Sequence, residues 1–193
     1  MRIEVVGAGA VGCYYGALLS RAGNDVTFVL RRDYEAVRDG GLSIASPLGD
    51  FQIASDTAVC RAGIRGPAEL AICSLKATAL DDAAQLVAPA VGPETRILAL
   101  MNGLGVEEVF ADAFGGGRVF GGMAFVCVNR GDPGTVHHLD YGRVTVGHFG
   151  DSQSEVDELC RSLVVGGIDA IGASSLLRAS VGEALLEYSL QRT

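Results

Sequence analysis

The sequence predicts an α/β domain built on a doubly wound, mostly parallel sheet. Three observations predict it. A short apolar strand runs straight into Gly7, Gly9 and Gly12, spaced G-x-G-x-x-G, with a helical segment directly behind them. Apolar strand-like runs then alternate with helix-period segments along most of the chain. The composition, 49% hydrophobic and 20% charged with 27 glycines, belongs to a folded, glycine-rich chain rather than a disordered one. At 193 residues the chain can bury one good core, or a nucleotide-binding domain plus a small extra piece.

The elements follow in order. Ile3, Val5 and Val6 make the first strand, and the helix over residues 10–22 buries Val11, Leu18 and Leu19 and stops at Gly23. Residues 25–30 form the second strand. Asp33 caps a helix over 34–39 that Gly40 and Gly41 end. Residues 42–45 and 51–54 flank Ser-Pro-Leu-Gly-Asp as a hairpin. The near-continuous apolar run 69–75 is a buried parallel strand with Lys76 just past it. A helix over 77–90, closed by Pro89 and Pro93, leads to a second buried strand, 95–101, which ends at Asn102 and Gly103. A helix over 106–114 stops at three glycines. Strands over 119–128, 135–139 and 143–147 follow, with turns at 131–134 and 140–142. Ser152 or Ser154 caps a helix over 152–165, with Glu155 in its first turn, and 174–190 reads as a final helix.

The glycine spacing in this context is the dinucleotide-binding fingerprint of Rossmann-like folds. Gly7 permits the tight turn, Gly9 lets backbone approach a pyrophosphate, and Gly12 lets the helix pack against the strand. The backbone of Gly7, Ala8, Gly9, Ala10, Val11 and Gly12 is the candidate cradle, with the helix N-terminus facing the phosphates. The competing reading is a glycine-rich turn with no ligand. The ribose-reading position falls about 20 residues past the glycines. An acid there selects NAD, but this chain has Leu30-Arg31-Arg32, with no acid before Asp33. Guanidinium forks pair with a 2′-phosphate that a carboxylate would repel, so Arg31 and Arg32 point to NADP. The alternative is a pair of solvated surface charges. Lys76 and Asn102 stand at the carboxyl ends of two strands, where such sheets bind ligands. Lys76 can neutralise phosphate or contact the nicotinamide half, and Asn102 can both donate and accept. Their bland readings are a loop charge and a turn residue.

A net charge of −8 disfavours nucleic acid and acidic membranes as partners. No apolar run is long enough to span a bilayer. Met1 leads directly into the first strand, so no targeting peptide is expected. Five cysteines at Cys13, Cys60, Cys73, Cys127 and Cys160, without C-x-x-C spacing, read as reduced thiols of a cytoplasmic protein. His137 and His138 point to opposite faces of a strand, so no metal site is expected.

The sequence resembles the ketopantoate reductase (2-dehydropantoate 2-reductase) family. The matching stretches are residues 6–16, Ser74-Leu-Lys-Ala77, Met101-Asn-Gly-Leu-Gly105, and Gly121-Gly-Met123 through His138. The resemblance implies NADPH-dependent reduction of a 2-keto acid, 2-dehydropantoate, to pantoate on the route to pantothenate and coenzyme A. It also implies cofactor contacts at Gly7 to Gly12, Arg31, Lys76 and Asn102, and a backbone contribution near the nicotinamide from the strand around Cys127. On this reading residues 1–170 are the dinucleotide-binding domain. Residues 171–193 are the start of a connecting helix, with no complete C-terminal helical domain.

The family's general acid is a lysine on that helix, in a motif similar to W-x-K-L-x-x-N-x-x-x-N. This chain has Val181, Glu183, Glu187 and Gln191 at the four positions, so no catalytic residue is assigned. Glu183 as an ionised carboxylate would oppose a developing alkoxide, and the chain is expected to turn over poorly alone. Codons of residues 181–193 read one base later can encode tryptophan, lysine and two asparagines at the family spacing, as when GAA before G yields AAG. A frameshift therefore explains all four departures. The alternatives are a reductase of another 2-keto acid, a non-catalytic NADP-binding module with an intact frame, and a homodimer formed through the 174–190 helix. Sequencing the encoding DNA from codon 170 onward is expected to show tryptophan, lysine and two asparagines in the +1 frame. A closed +1 frame would end the frameshift explanation.

Overall fold

Strands covered on both faces read as unbroken apolar runs, and Leu70–Cys73 is buried at every position. The computed structural model describes residues 1–55, 59–60, 65–103 and 105–176. In chain order the elements are β1 (Arg2–Val6), α1 (Ala10–Arg21), β2 (Asp25–Val29), α2 (Tyr34–Gly40), β3 (Leu42–Ala45), β4 (Phe51–Ile53), β5 (Val59–Cys60), β6 (Leu70–Cys73), α3 (Leu80–Val87), β7 (Arg96–Ala99), α4 (Val106–Phe114), β8 (Val119–Arg130), β9 (Thr135–His148), α5 (Gln153–Val165) and β10 (Ala170–Gly172). They form one sheet in the order β4-β3-β9-β8-β7-β6-β1-β2-β5, with β10 also on β9. The run from β5 to β8 is parallel throughout. The β8–β9 and β3–β4 pairs are antiparallel. This is the α/β, Rossmann-like sheet the sequence predicts.

Alternate residues of the strands feed two cores. Ile3, Val5, Phe28 and Ile72 pack with Tyr15 and Leu19 of α1 and Leu159 and Leu163 of α5 on one face. Val6, Ala71, Cys73 and Ile97 pack with Ala83 and Val87 of α3 and Phe110 of α4 on the other. Helix α1 is buried from Gly12 to Leu19, a wider band than Leu18 and Leu19 alone suggest. Val11 is only partly buried, contrary to the expectation for that position. The long ribbon of β8 and β9 brings Val136, Val144 and Val146 into the α1 core.

Several local expectations change. Residues 140–142 do not form a turn between two strands. β9 runs through them as a bulge, and its pairing with β8 shifts there. Tyr141 sits at φ 62° and Gly142 at φ 137°. His138 pins the bulge. The Tyr141 carbonyl only accepts, so His138 Nε2 donates to it at 2.8 Å, and Nδ1 is hydrogen-bonded to the Ser46 hydroxyl, also at 2.8 Å. The same ring stacks on Tyr14 of α1, centroids 4.4 Å apart. The helix expected over 77–90 is α3 flanked by 3₁₀ turns at Ala77–Ala79 and Ala88–Ala90. Asp33 and Ser152 occupy N-cap positions without a side-chain capping bond. Strands β5 and β10 were not expected, and the 174–190 helix lies outside the described residues from 177 onward.

Glu4 is fully buried in β1, opposite Thr27 of β2. Among the described residues, neither carboxylate oxygen makes a well-formed hydrogen bond. Burial pushes its pKa above the ordinary 4.5, against weaker opposing effects from the Arg65 backbone, Thr27 and the guanidiniums of Arg65 and Arg2. The folded chain then holds this proton at pH values where the unfolded chain has lost it, so stability falls as pH rises above about 4.5. Glu4→Gln is expected to stabilise the domain by about 1 kcal/mol at pH 7, with the gain vanishing below that window. Chemical denaturation at pH 7 and pH 4 checks this, and an equal gain at both would exclude ionisation as the cause.

Candidate dinucleotide-binding site

The turn from β1 into α1 is held by its neighbours. Gly7 adopts φ +85°, and a Cβ there would stand 2.7 Å from the Leu75 amide nitrogen. Its carbonyl accepts from the Ser74 hydroxyl at 2.8 Å and from the Gly9 amide at 2.6 Å. At Gly12 a Cβ would overlap Ser74 Oγ. Packing within the protein therefore demands glycine at both positions.

Gly9 differs. Its φ is −80°, and the nearest atom to an added Cβ is 3.8 Å away. Nothing in the protein requires glycine there, and the space above it is open to a ligand. Gly9 is the N-cap of α1, and the first helical bond runs from Cys13 N to Gly9 O. The amides of Ala10, Val11 and Gly12 thus have no acceptor within the helix, and no acidic residue lies in the first turn. Outward N–H groups above an unfilled glycine fit a dinucleotide pyrophosphate.

The loop carbonyls, by contrast, are satisfied inward. Ala8 O accepts from Cys13 Sγ at 3.3 Å and from Arg130 Nη2 at 3.1 Å. Burial pushes the Cys13 thiol up to about 12, with nearby Asp33 adding to the rise and Arg130 opposing it. It therefore stays a neutral donor at physiological pH.

Parallel pairing of β2, β1, β6 and β7 puts their carboxyl ends on one edge. Arg31 and Arg32 follow β2, Lys76 follows β6 and Asn102 follows β7, and all four are exposed. Among the described residues, neither Arg31 nor Arg32 forms an ion pair. Cys127 is exposed on the part of β8 that runs past β7, between two irregularities in the β8–β9 pairing. Glu183 lies outside the described residues.

Sequence reasoning missed Arg130, Ser74 and Cys13. The partners of Arg130 and Ser74 are 122 and 67 residues away, so no local pattern marks them. A cavity of about 380 Å³ along the β3–β4 hairpin, lined by Ser43, Phe51 and Gln52 among others, is separate from the glycine turn. Among the described residues no cluster of His, Cys, Asp or Glu could hold a metal, and no helix is long and apolar enough to cross a membrane.

A doubly wound sheet with an open glycine turn at its carboxyl edge is the arrangement of a dinucleotide-binding domain. The model of the family "Ketopantoate reductase PanE/ApbA" matches residues 3–151. A 2-dehydropantoate 2-reductase from Nostoc sp. is 38% identical over 155 residues, covering 80% of this chain and 49% of the relative. The crystal structure of 2-dehydropantoate 2-reductase from Geobacter metallireducens superposes with a TM-score of 0.87 at 44% identity, covering 93% of this chain and 60% of that one. That of the Methylococcus capsulatus enzyme gives 0.82 at 34% identity, covering 93% and 59%. The chain belongs to the ketopantoate reductase family. It spans about half the length of the curated relatives it matches. Membership implies a nicotinamide cofactor.

The two kinds of glycine are separable by experiment. Gly12→Ala is expected to destabilise the fold by about 1–3 kcal/mol through overpacking against Ser74. Gly9→Ala is expected to change stability by no more than about 1 kcal/mol yet weaken cofactor binding roughly tenfold. Thermal melts alongside cofactor titrations distinguish the two, and a Gly9→Ala protein that binds normally would place the pyrophosphate elsewhere.

Proposed function

We propose that this chain carries the cofactor half of an NADPH-dependent 2-dehydropantoate 2-reductase, a cytoplasmic enzyme of pantothenate and coenzyme A synthesis. The observation that carries the reading is the open Gly9 cradle with two exposed guanidiniums, Arg31 and Arg32, beyond the end of β2. The α1 amides of Ala10, Val11 and Gly12 would hold the pyrophosphate, and Arg31 and Arg32 the 2′-phosphate. Lys76 would add positive charge at the same edge. Asn102 would orient the nicotinamide half or the keto acid, and the backbone around Cys127 would close the nicotinamide side.

When bound, NADPH supplies a hydride for the substrate carbonyl. The chain's residues orient the cofactor, and the new alkoxide needs a proton from a positioned acid. By resemblance that acid is a lysine, at the position of Glu183, and an ionised glutamate cannot fill the role. This favours a second reading, a non-catalytic NADP-binding module.

Titration with both cofactors, followed by an assay with 2-dehydropantoate, tests these readings. NADPH is expected to bind roughly tenfold or more tighter than NADH, with Arg31→Ala removing most of the difference. Equal affinity for the two would overturn the NADPH assignment. Pantoate formation supports the reductase, and tight NADPH binding without turnover supports the binding module.

A further inference from the structure

Arg130, at the end of β8, bridges the glycine turn and the entry to α2. One nitrogen, Nη2, lies 3.1 Å from the Ala8 carbonyl oxygen and 3.4 Å from Asp33 Oδ2. Asp33 is the one carboxylate between the end of β2 and the start of α2. It stands at the N-cap of α2, yet its side chain makes no capping bond. Its carboxylate is 14% exposed and faces the guanidinium instead. Arg31 and Arg32, immediately before it, are exposed.

An uncompensated carboxylate in this loop would have two effects. It would offer an acceptor to a ribose 2′-hydroxyl, and it would repel a 2′-phosphate. Arg130 cancels that charge from a strand remote in sequence. Both side chains are at least two-thirds buried, so solvent and salt screen the pair less than a surface pair. The bond to Ala8 fixes the guanidinium beside Asp33 rather than over Arg31 and Arg32.

We infer that Arg130 is a specificity-determining positioning residue: it neutralises Asp33, so that Arg31 and Arg32 meet a cofactor 2′-phosphate unopposed. The inference rests on the NADPH reading above, and it explains how an acid can stand four residues past β2 without selecting NADH.

The test is the ratio of the NADH and NADPH dissociation constants, measured by titration calorimetry on the parent chain and on R130A, R130Q, D33N and R130A/D33N. R130Q removes the charge but keeps an N–H donor for the Ala8 carbonyl, so it serves if R130A folds poorly. R130A and R130Q are expected to lower the ratio roughly tenfold by weakening NADPH binding. D33N leaves the ratio unchanged or raised. R130A/D33N recovers the parent ratio to within about threefold. Equal weakening of both cofactors in R130A and R130Q would mean that Arg130 only holds the loop, and would overturn the inference. A double variant as impaired as R130A would overturn it too, by making Arg130 itself a phosphate ligand. Because the ratio is compared within the series, a parent without NADPH preference would sink the cofactor reading while the effect of Arg130 stayed measurable.

Discussion

Helix α1 lies closer to the sheet than any side chain would allow. A Cβ on Gly12 would overlap Ser74 Oγ, and one on Gly16 would come within 2.5 Å of the Phe28 ring. That approach aims the first turn of α1 along the carboxyl edge of β1 and β6, where the Ser74 hydroxyl then reaches the Gly7 carbonyl. It also brings Tyr14 and Tyr15 under the β8–β9 ribbon, where Tyr14 stacks on His138. A side chain at either glycine would push the helix outward, moving the cradle and loosening the ribbon together. Close packing of this kind leaves little slack, because protein interiors are as dense as organic crystals.

The glycines of the turn divide the work. Gly7 and Gly12 answer to the protein's own packing, and Gly9 answers to space that the protein leaves open. The loop's hydrogen bonding divides in the same way. The Gly7 and Ala8 carbonyls are taken by Ser74, Cys13 and Arg130, leaving the helix amides to present the positive end of their dipole outward. A loop whose carbonyls are engaged, followed by first-turn helix amides with no acceptor in the helix, is prepared for an anion.

What sequence made legible was local. Strands β1, β2, β6 and β7, helices α1, α4 and α5, and the β3–β4 hairpin follow from apolar period and from glycine, proline and serine at their ends. The sequence around residues 140–142 looks like a turn because Asp-Tyr-Gly satisfies turn chemistry. It is a bulge because His138, anchored on Tyr14 and Ser46, holds the strand in line. Asp33 looks like a cap because it precedes a helix, but a guanidinium from 97 positions later offers a better partner than the helix amides. Strands β5 and β10 hold only Val59–Cys60 and Ala170–Gly172, too short for a period to show. Among the candidate site residues, the glycines, Lys76 and Asn102 carry local signals, whereas Arg130 and Ser74 reach the glycine turn only through the fold.

The placement of β9 has a consequence for the order in which the chain can become itself. β3, completed by residue 45, finds its parallel partner only at residues 135–137, and residues 144–146 of the same strand wait for β10 at 170–172. During synthesis the segment β1-α1-β2 can close on itself early, since its contacts are near in sequence. One flank of α1 and one edge of the β3–β4 hairpin stay uncovered until the ribbon has been made. That interval, with an apolar helix face beside an open strand edge, is when a growing chain of this fold is most exposed to pairing with the wrong neighbour.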